Sequence, residues 1–84
     1  MDIEKDLIKE IEKWTGKIKE ERRRIELADD SRKDFLKNID AYISDSAYFL
    51  KEGKLIESFE ALIWSWAYMT IGKEIEILKT PDDD

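Results

Sequence analysis

The sequence predicts an all-α protein, an up-down-up bundle of three helices in one domain. Three observations predict this fold class. Apolar residues recur at helical spacing in three successive segments, no segment alternates with period two over a useful length, and 84 residues are enough for only one domain. We expect residues 1–80 to form the domain. Residues 81–84 are expected to be a disordered acidic tail, because they have nothing to pack with.

The first helix is predicted from about residue 2 to residue 27. Its apolar stripe, close to a 3.5-residue period, consists of Ile3, Leu7, Ile11, Trp14, Ile18 and Ile25. The stripe weakens toward its end, so we expect the last turns to be more exposed and the helix to be partly free. Trp14 is interpreted as a core residue, and the alternative is an aromatic ligand box with Trp64 or Trp66. Gly16 indicates a close helix–helix approach or a slight bend.

The second helix is predicted from about residue 32 to residue 52. Ser31 and Asp34 at its start resemble a capping box, and Gly53 fits the left-handed residue that ends a helix. The wide apolar stripe of this helix consists of Phe35, Leu36, Ile39, Tyr42, Ile43, Ser46, Ala47, Phe49 and Leu50. The turn after Gly53 is very short, so the third helix must fold back antiparallel to the second.

The third helix is predicted from about residue 55 to residue 79, because Thr80-Pro81 stops it. It carries two apolar stripes roughly 100° or more apart. The first consists of Leu55, Phe59, Leu62, Ile63, Trp66 and Thr70, and the second of Ala61, Trp64, Tyr68, Ile71, Ile75 and Leu78. The segment 61–71 therefore has no clearly polar side, and a helix that is apolar all round should be buried all round.

Two small helices cannot easily enclose such a third helix, so part of its surface should meet another chain. The alternative is that the long first helix covers the second stripe, which would then be ordinary core. We expect a non-enzymatic interaction or structural module, either a homo-oligomer such as a dimer or the partner of another protein. The contact residues that we expect are Trp64, Tyr68, Ile71 and Ile75.

The composition excludes several classes of function. The net charge of −6 argues against nucleic acid and anionic lipid as partners. There is no Cys or His, and no phosphate loop, nucleophile elbow or metal motif, so no cofactor and no enzyme activity are expected. The longest uncharged run, residues 61–72, is too short to cross a bilayer, and the charged N-terminus lacks a signal region, so we expect a cytoplasmic protein. One Asn, no Gln and many Lys and Glu are typical of hyperthermophile proteins.

Two polar groups are alternative functional candidates. Asp45 and Glu60 lie about equally far from the Gly53 turn, so an antiparallel hairpin brings them near each other, where they could bind a cation or share a proton. Otherwise Asp45 makes local hydrogen bonds and Glu60 is solvated or pairs with a lysine. The basic cluster Arg22, Arg23 and Arg24 could contact nucleic acid, but interleaved glutamates favour a solvated, ion-paired helix end.

Residues 42–53, YISDSAYFLKEG, resemble the Y-x-x-D-A-x-Y-F-L-x-x-G segment of the DUF357 proteins, a small archaeal family of unknown function. Residues 58–62 and Gly72 are similar to that family's A-F-E-A-L … G stretch, and the spacing matches without gaps. The resemblance implies an archaeal three-helix bundle, similar to small albumin-binding-type bundles, and implies no activity. A weaker likeness is to a single tetratricopeptide hairpin, a repeat that needs several copies to be stable.

The chain departs from the family pattern at a few positions. The family tends to have Ala where this chain has Ser46 and Ser58. It usually has a Tyr-Ala pair at residues 64–65, where this chain has Trp-Ser, and an Asp where this chain has Thr70. If that Asp has a role in the family, this protein lacks it.

Overall fold

A computed structural model describes residues 2–81 and contains three α-helices and one small antiparallel sheet. In chain order the elements are α1 (Ile3–Arg24), β1 (Glu26–Leu27), α2 (Lys33–Lys51), α3 (Leu55–Glu74) and β2 (Leu78–Lys79). The prediction of an all-α bundle of three helices is confirmed. Of the predicted acidic tail, residues 82–84 lie outside the described residues.

The first helix begins with a side-chain cap and ends earlier than predicted. The carboxylate of Asp2 accepts a hydrogen bond from the backbone N–H of Lys5 at 3.1 Å. Its last turns, residues 19–24, are exposed or half-buried as predicted, whereas Ile25, directly after the helix, is buried with Ile11 and Ile18 in the core. Gly16 faces solvent, and nothing lies within 4 Å of the position its Cβ would take. It therefore does not mark a close approach between helices.

The start of α2 differs from the predicted capping box. Arg32 is the N-cap and makes no capping hydrogen bond with its side chain. Ser31 instead donates its hydroxyl to Asp29 at 2.6 Å, and Asp34 accepts from Arg32 at 3.0 Å. The hydrogen bonds from the hydroxyl and the N–H of Ser31 hold the pKa of Asp29 below its ordinary value. The loop thus satisfies its own polar groups, and no serine is left to cap the helix.

The turn between α2 and α3 has the predicted geometry. Gly53 adopts a φ of 75°, the left-handed conformation that costs glycine least. The N–H of Lys54 donates to the carbonyl of Phe49 at 2.8 Å, and that of Gly53 to Leu50 at 3.1 Å. These two bonds form a Schellman motif, which ends α2 and turns the chain directly into α3.

The third helix ends at Glu74, five residues before its predicted end. Glu76 takes the left-handed conformation with a φ of 63°. The N–H of Ile77 donates to the carbonyl of Gly72 at 2.9 Å, a second Schellman closure without a glycine at its left-handed position. The sequence shows no helix stop here, because the expected glycine is absent.

The residues after α3 form a sheet that the sequence pattern did not predict. Leu78 lies opposite Leu27, and Lys79 opposite Glu26, in an antiparallel pair. Strands of two residues are too short for an alternating pattern to be recognised. Ile77 and Leu78 are buried, so the end of the chain completes the core between the loop before α2 and the end of α3.

The third helix is the centre of the bundle. It packs extensively against both α1 and α2, whereas α1 and α2 have few contacts with each other. The ring of Trp14 in α1 packs edge-on against Trp66 of α3 at 5.6 Å, and Lys73 pairs with Glu21 at 2.5 Å. From the first contact to the second, the position advances by seven residues in each helix, from Trp14 to Glu21 and from Trp66 to Lys73. The helices α1 and α3 are therefore parallel, which gives the up-down-up order.

Candidate interaction face

The side of α3 that faces α2 carries small residues. Ser58, Ser65 and Gly72 recur every seven residues, and all three are buried. The hydroxyl of Ser58 donates to the carbonyl of Ser46 at 2.8 Å, and the two hydroxyl oxygens lie 3.0 Å apart. Ser65 donates to the carbonyl of Ile39 at 3.2 Å. Small side chains allow the two helices to approach closely, and the hydroxyls of Ser46, Ser58 and Ser65 each have a hydrogen-bond partner.

The solvent-facing side of α3 exposes large apolar side chains. Each of them has between 46% and 66% of its surface in contact with solvent. We call this set the outer stripe; it consists of Ile56, Ile63, Trp64, Ile71 and Ile75. The third helix is therefore apolar on two sides, since Leu62 and Met69 are buried in the core while the outer stripe faces solvent.

The predicted contact residues fall on or beside the outer stripe. Trp64, Ile71 and Ile75 are exposed, whereas Tyr68 is half-buried. Tyr68 packs against two aromatic rings of α2, those of Phe35 at 5.4 Å and Tyr42 at 5.7 Å. It is thus α2 rather than α1 that lies against the second apolar stripe of the sequence.

Sequence reasoning missed Ile56 and placed Ile63 with the core stripe. Both are exposed and lie on the crest of α3. The signal that could have found them is the seven-residue spacing of Ser58, Ser65 and Gly72. Such a row of small residues identifies the packed side of a helix, and the large apolar residues opposite it must then face outward.

Two hollows lie between α2 and α3, one on each side of Trp64. The apolar hollow, of about 230 Å³, is lined by Phe35, Trp64, Ala67, Tyr68 and Ile71. The acidic hollow, of about 260 Å³, is lined by Tyr42, Asp45, Phe49, Glu57, Glu60 and Trp64. The indole of Trp64 stacks on the Tyr42 ring at 6.3 Å, with 21° between the planes. Trp64 is therefore the wall that the two hollows share.

The structure brings Asp45 and Glu60 to the same hollow, together with Glu57, which sequence reasoning missed. Neither a hydrogen bond nor an ion pair is made by these three side chains within residues 2–81. In the same described part of the chain, no three acidic residues are grouped closely enough to hold a metal ion. The acidic hollow therefore combines unpaired carboxylates with aromatic walls.

The basic cluster at the end of α1 is held by acidic neighbours. Arg22 makes two hydrogen bonds to Asp40 of α2, at 2.6 and 3.0 Å. Arg23 pairs with Glu20, and Arg24 lies 3.8 Å from Glu21. A bidentate arginine–carboxylate pair is the stronger kind of ion pair, and here it joins α1 to α2.

A groove of about 550 Å³ separates α1 from α2. Its walls carry Thr15 and Lys19 from α1 and mainly small and apolar residues from α2, among them Ile43 and Ala47. The groove exists because both helices pack on α3 rather than on each other. Trp14 does not line it; its ring lies against Trp66, with the ammonium of Lys17 at 4.9 Å from the ring centre.

Within residues 2–81 no helix is both long and apolar enough to span a bilayer.

Comparisons with known proteins identify the family. No curated protein matches the chain. The structure is similar to the crystal structure of protein AF1782 from Archaeoglobus fulgidus, with 42% sequence identity and a TM-score of 0.83. That protein is assigned to the family model DUF357. The similarity covers 94% of this chain and 99% of that one. The family model "Protein of unknown function (DUF357)" matches residues 6–78, as the resemblance predicted. The chain therefore belongs to the DUF357 family.

Proposed function

We propose that this chain is a non-enzymatic protein-interaction module that self-associates through the outer stripe of α3. The observation that carries the proposal is that α3 exposes Ile63 and Trp64 to solvent in addition to the apolar side, with Leu62 and Met69, that it buries in the core. Exposed contiguous apolar side chains are costly in water and typically mark interaction sites. Covering one half-exposed isoleucine or tryptophan contributes roughly 1 kcal/mol.

The outer stripe is complementary to itself in an antiparallel pair. If a two-fold axis passes between Ile63 and Trp64, these two residues meet across it. Ile56 then lies opposite Ile71 of the second copy, because both are equally far from the axis. Glu57 and Glu60 in turn face Thr70 and Ala67 of the second copy, so no carboxylate opposes another along this register.

The stripe is narrow, so the association should be weak. Interfaces smaller than about 1,200 Å² in total are typical of transient complexes. We therefore expect a monomer in dilute solution and a dimer at concentrations on the order of 100 µM and above. A rising mass over this range distinguishes self-association from a fixed oligomer.

Sedimentation or light scattering at increasing concentration tests the proposal. Trp64→Glu and Ile63→Glu should each keep the chain monomeric, because each places a charge on the two-fold axis of an apolar contact. The matched control is Tyr48→Glu on α2, since Tyr48 is 59% exposed and Trp64 is 56% exposed. A wild-type chain that stays monomeric at high concentration, or a dimer unchanged by both variants, would overturn the proposal.

A further inference from the structure

We propose that the two hollows beside Trp64 dock a helix of a partner protein that carries an apolar side chain and, about seven residues later, a lysine or arginine. This inference goes beyond self-association and does not rest on it. It follows from the chemistry of the two hollows, from their spacing along α3 and from their charge.

The acidic hollow has the chemistry that recognises an organic cation. Glu57, Glu60 and Asp45 supply three carboxylates, none of which has a cationic partner in residues 2–81. The rings of Tyr42 and Trp64 form its walls, and aromatic faces attract ammonium and guanidinium groups. Carboxylates beside aromatic rings fit the charged head and the apolar stem of a basic side chain.

The apolar hollow has room for one aliphatic side chain. Its lining is almost entirely carbon, contributed by the rings of Phe35 and Tyr68 and by Ile71. The hollow is open to solvent on one side, so a side chain can enter without any movement of the backbone. A leucine or isoleucine of the partner that enters this hollow is itself shielded from water and also covers part of the apolar surface of Trp64 and Ile71, which favours binding.

The spacing of the hollows favours a helical partner. The residues that α3 contributes to the apolar hollow centre near Ala67, and those that it contributes to the acidic hollow centre near Glu60, seven residues earlier. At 1.5 Å per residue the hollows are about 10 Å apart, which is two turns of a docked helix. The positive side chain is favoured near the C-terminus of the partner helix by the helix dipole. The partner helix therefore runs antiparallel to α3.

Charge favours a basic partner over a second copy as the occupant of the acidic hollow. The chain carries a net charge of −6, and in the two-fold register a second copy brings only the uncharged Thr70 and Ala67 to Glu57 and Glu60. Arg22 and Arg32 are already paired within the chain, with Asp40 and Asp34. A positively charged helix from another protein is attracted by the field of the whole molecule and by the hollow itself.

The proposal is tested by titrating the isolated chain with an alanine-rich helical peptide of about sixteen residues that has Leu and Lys seven positions apart. The indole N–H signal of Trp64, assigned by its loss in Trp64→Phe, should shift and saturate. A peptide with Glu in place of Lys should bind about tenfold more weakly. A peptide with Ala in place of Leu should also bind about tenfold more weakly, through the loss of one buried side chain.

A charge-removing variant identifies the site. The triple variant Asp45→Asn/Glu57→Gln/Glu60→Gln should bind the Lys peptide and a matching Gln peptide with equal affinity. Added salt should no longer weaken the binding of the Lys peptide to this variant. No saturable shift with the Leu/Lys peptide would overturn the proposal. A triple variant that still prefers Lys, or spermidine alone producing the same shift at the same concentration, would overturn it as well.

Failure of this proposal and failure of self-association are distinguishable. Ile63 lines neither hollow, so Ile63→Glu should block self-association and keep peptide binding. Binding should be as tight as in the wild type or tighter, because the dimer contact and the apolar hollow share Trp64 and Ile71. The triple amide variant changes no residue of the outer stripe, so it should lose the preference for Lys and still form dimers. Each proposal therefore has a variant that removes it alone.

Discussion

At the scale of single residues, three buried hydroxyls organise the contact between α2 and α3. The hydroxyls of Ser46 and Ser58 are hydrogen-bonded to each other. Ser58 also donates to the backbone of Ser46, and Ser65 donates to that of Ile39. A buried hydroxyl without a partner is costly, so Ser46 and Ser58 depend on each other.

This dependence predicts a non-additive pair of substitutions. Ser58→Ala should lower the free energy of unfolding by about 1 kcal/mol, because it leaves the Ser46 hydroxyl without its partner. Ser46→Ala/Ser58→Ala should be close to wild type, because both polar groups are removed together. Urea denaturation followed by circular dichroism measures all three variants of the cycle. A double variant that loses the sum of the single losses would contradict the coupling.

At the scale of elements, the end of α3 depends on a close approach at Gly72. A Cβ added there would lie 2.6 Å from Cδ1 and 2.8 Å from Cγ of Leu78, and 3.2 Å from a ring carbon of Phe35. Leu78 is buried and is held by its place opposite Leu27 in the sheet. The glycine therefore makes room for the strand that returns over the helix.

The two helical glycines should respond in opposite ways to the same substitution. Gly72→Ala should destabilise the fold by about 1–3 kcal/mol, because the clash with Leu78 outweighs the gain in helix propensity. Gly16→Ala should stabilise it by about 0.5–1 kcal/mol, because its Cβ meets nothing within 4 Å. Thermal denaturation of the two variants checks the contrast. Equal effects of the two substitutions would show that propensity, not packing, controls both sites.

At the scale of the whole molecule, the bundle is thin and long. Its Cα atoms extend over 44 × 24 × 17 Å, and the radius of gyration is 13.8 Å. A compact chain of this length would have a radius of gyration of about 12 Å. Because α1 and α2 pack on α3 rather than on each other, the central helix keeps one side exposed to solvent. The architecture itself thus leaves the outer stripe available to another chain.

The proposed two-fold contact predicts a specific cross-link. The sequence has no cysteine, so Ile63→Cys introduces a single thiol beside the proposed axis. Under mild oxidation at concentrations on the order of 100 µM, this variant should form disulfide dimers at least about tenfold faster than Tyr48→Cys, because association raises the local thiol concentration. Non-reducing electrophoresis over time measures both rates. Equal rates would mean that α3 does not meet its copy at Ile63.

The candidate face was partly predictable from particular residues. The nearly equal distances of Asp45 and Glu60 from Gly53 predicted that they lie near each other, because an antiparallel hairpin pairs such positions, and both line one hollow. Glu57 was predictable in the same way, because it lies one helical turn before Glu60 and as far after Gly53 as Phe49 lies before it. The direction of Ile63, by contrast, required knowledge of which side of α3 is packed against α2.

The sequence by itself determined the three helices, the turn at Gly53 and the family, because helical periodicity and turn chemistry are local properties. Only the tertiary structure decided where α3 ends, that residues 77–79 return to pair with β1, and which apolar stripe of α3 is covered. These outcomes depend on contacts between residues far apart in the chain, such as Leu78 over Gly72. A helix that is apolar all round has no preferred inner side in its own sequence, and its neighbours therefore decide which side remains exposed.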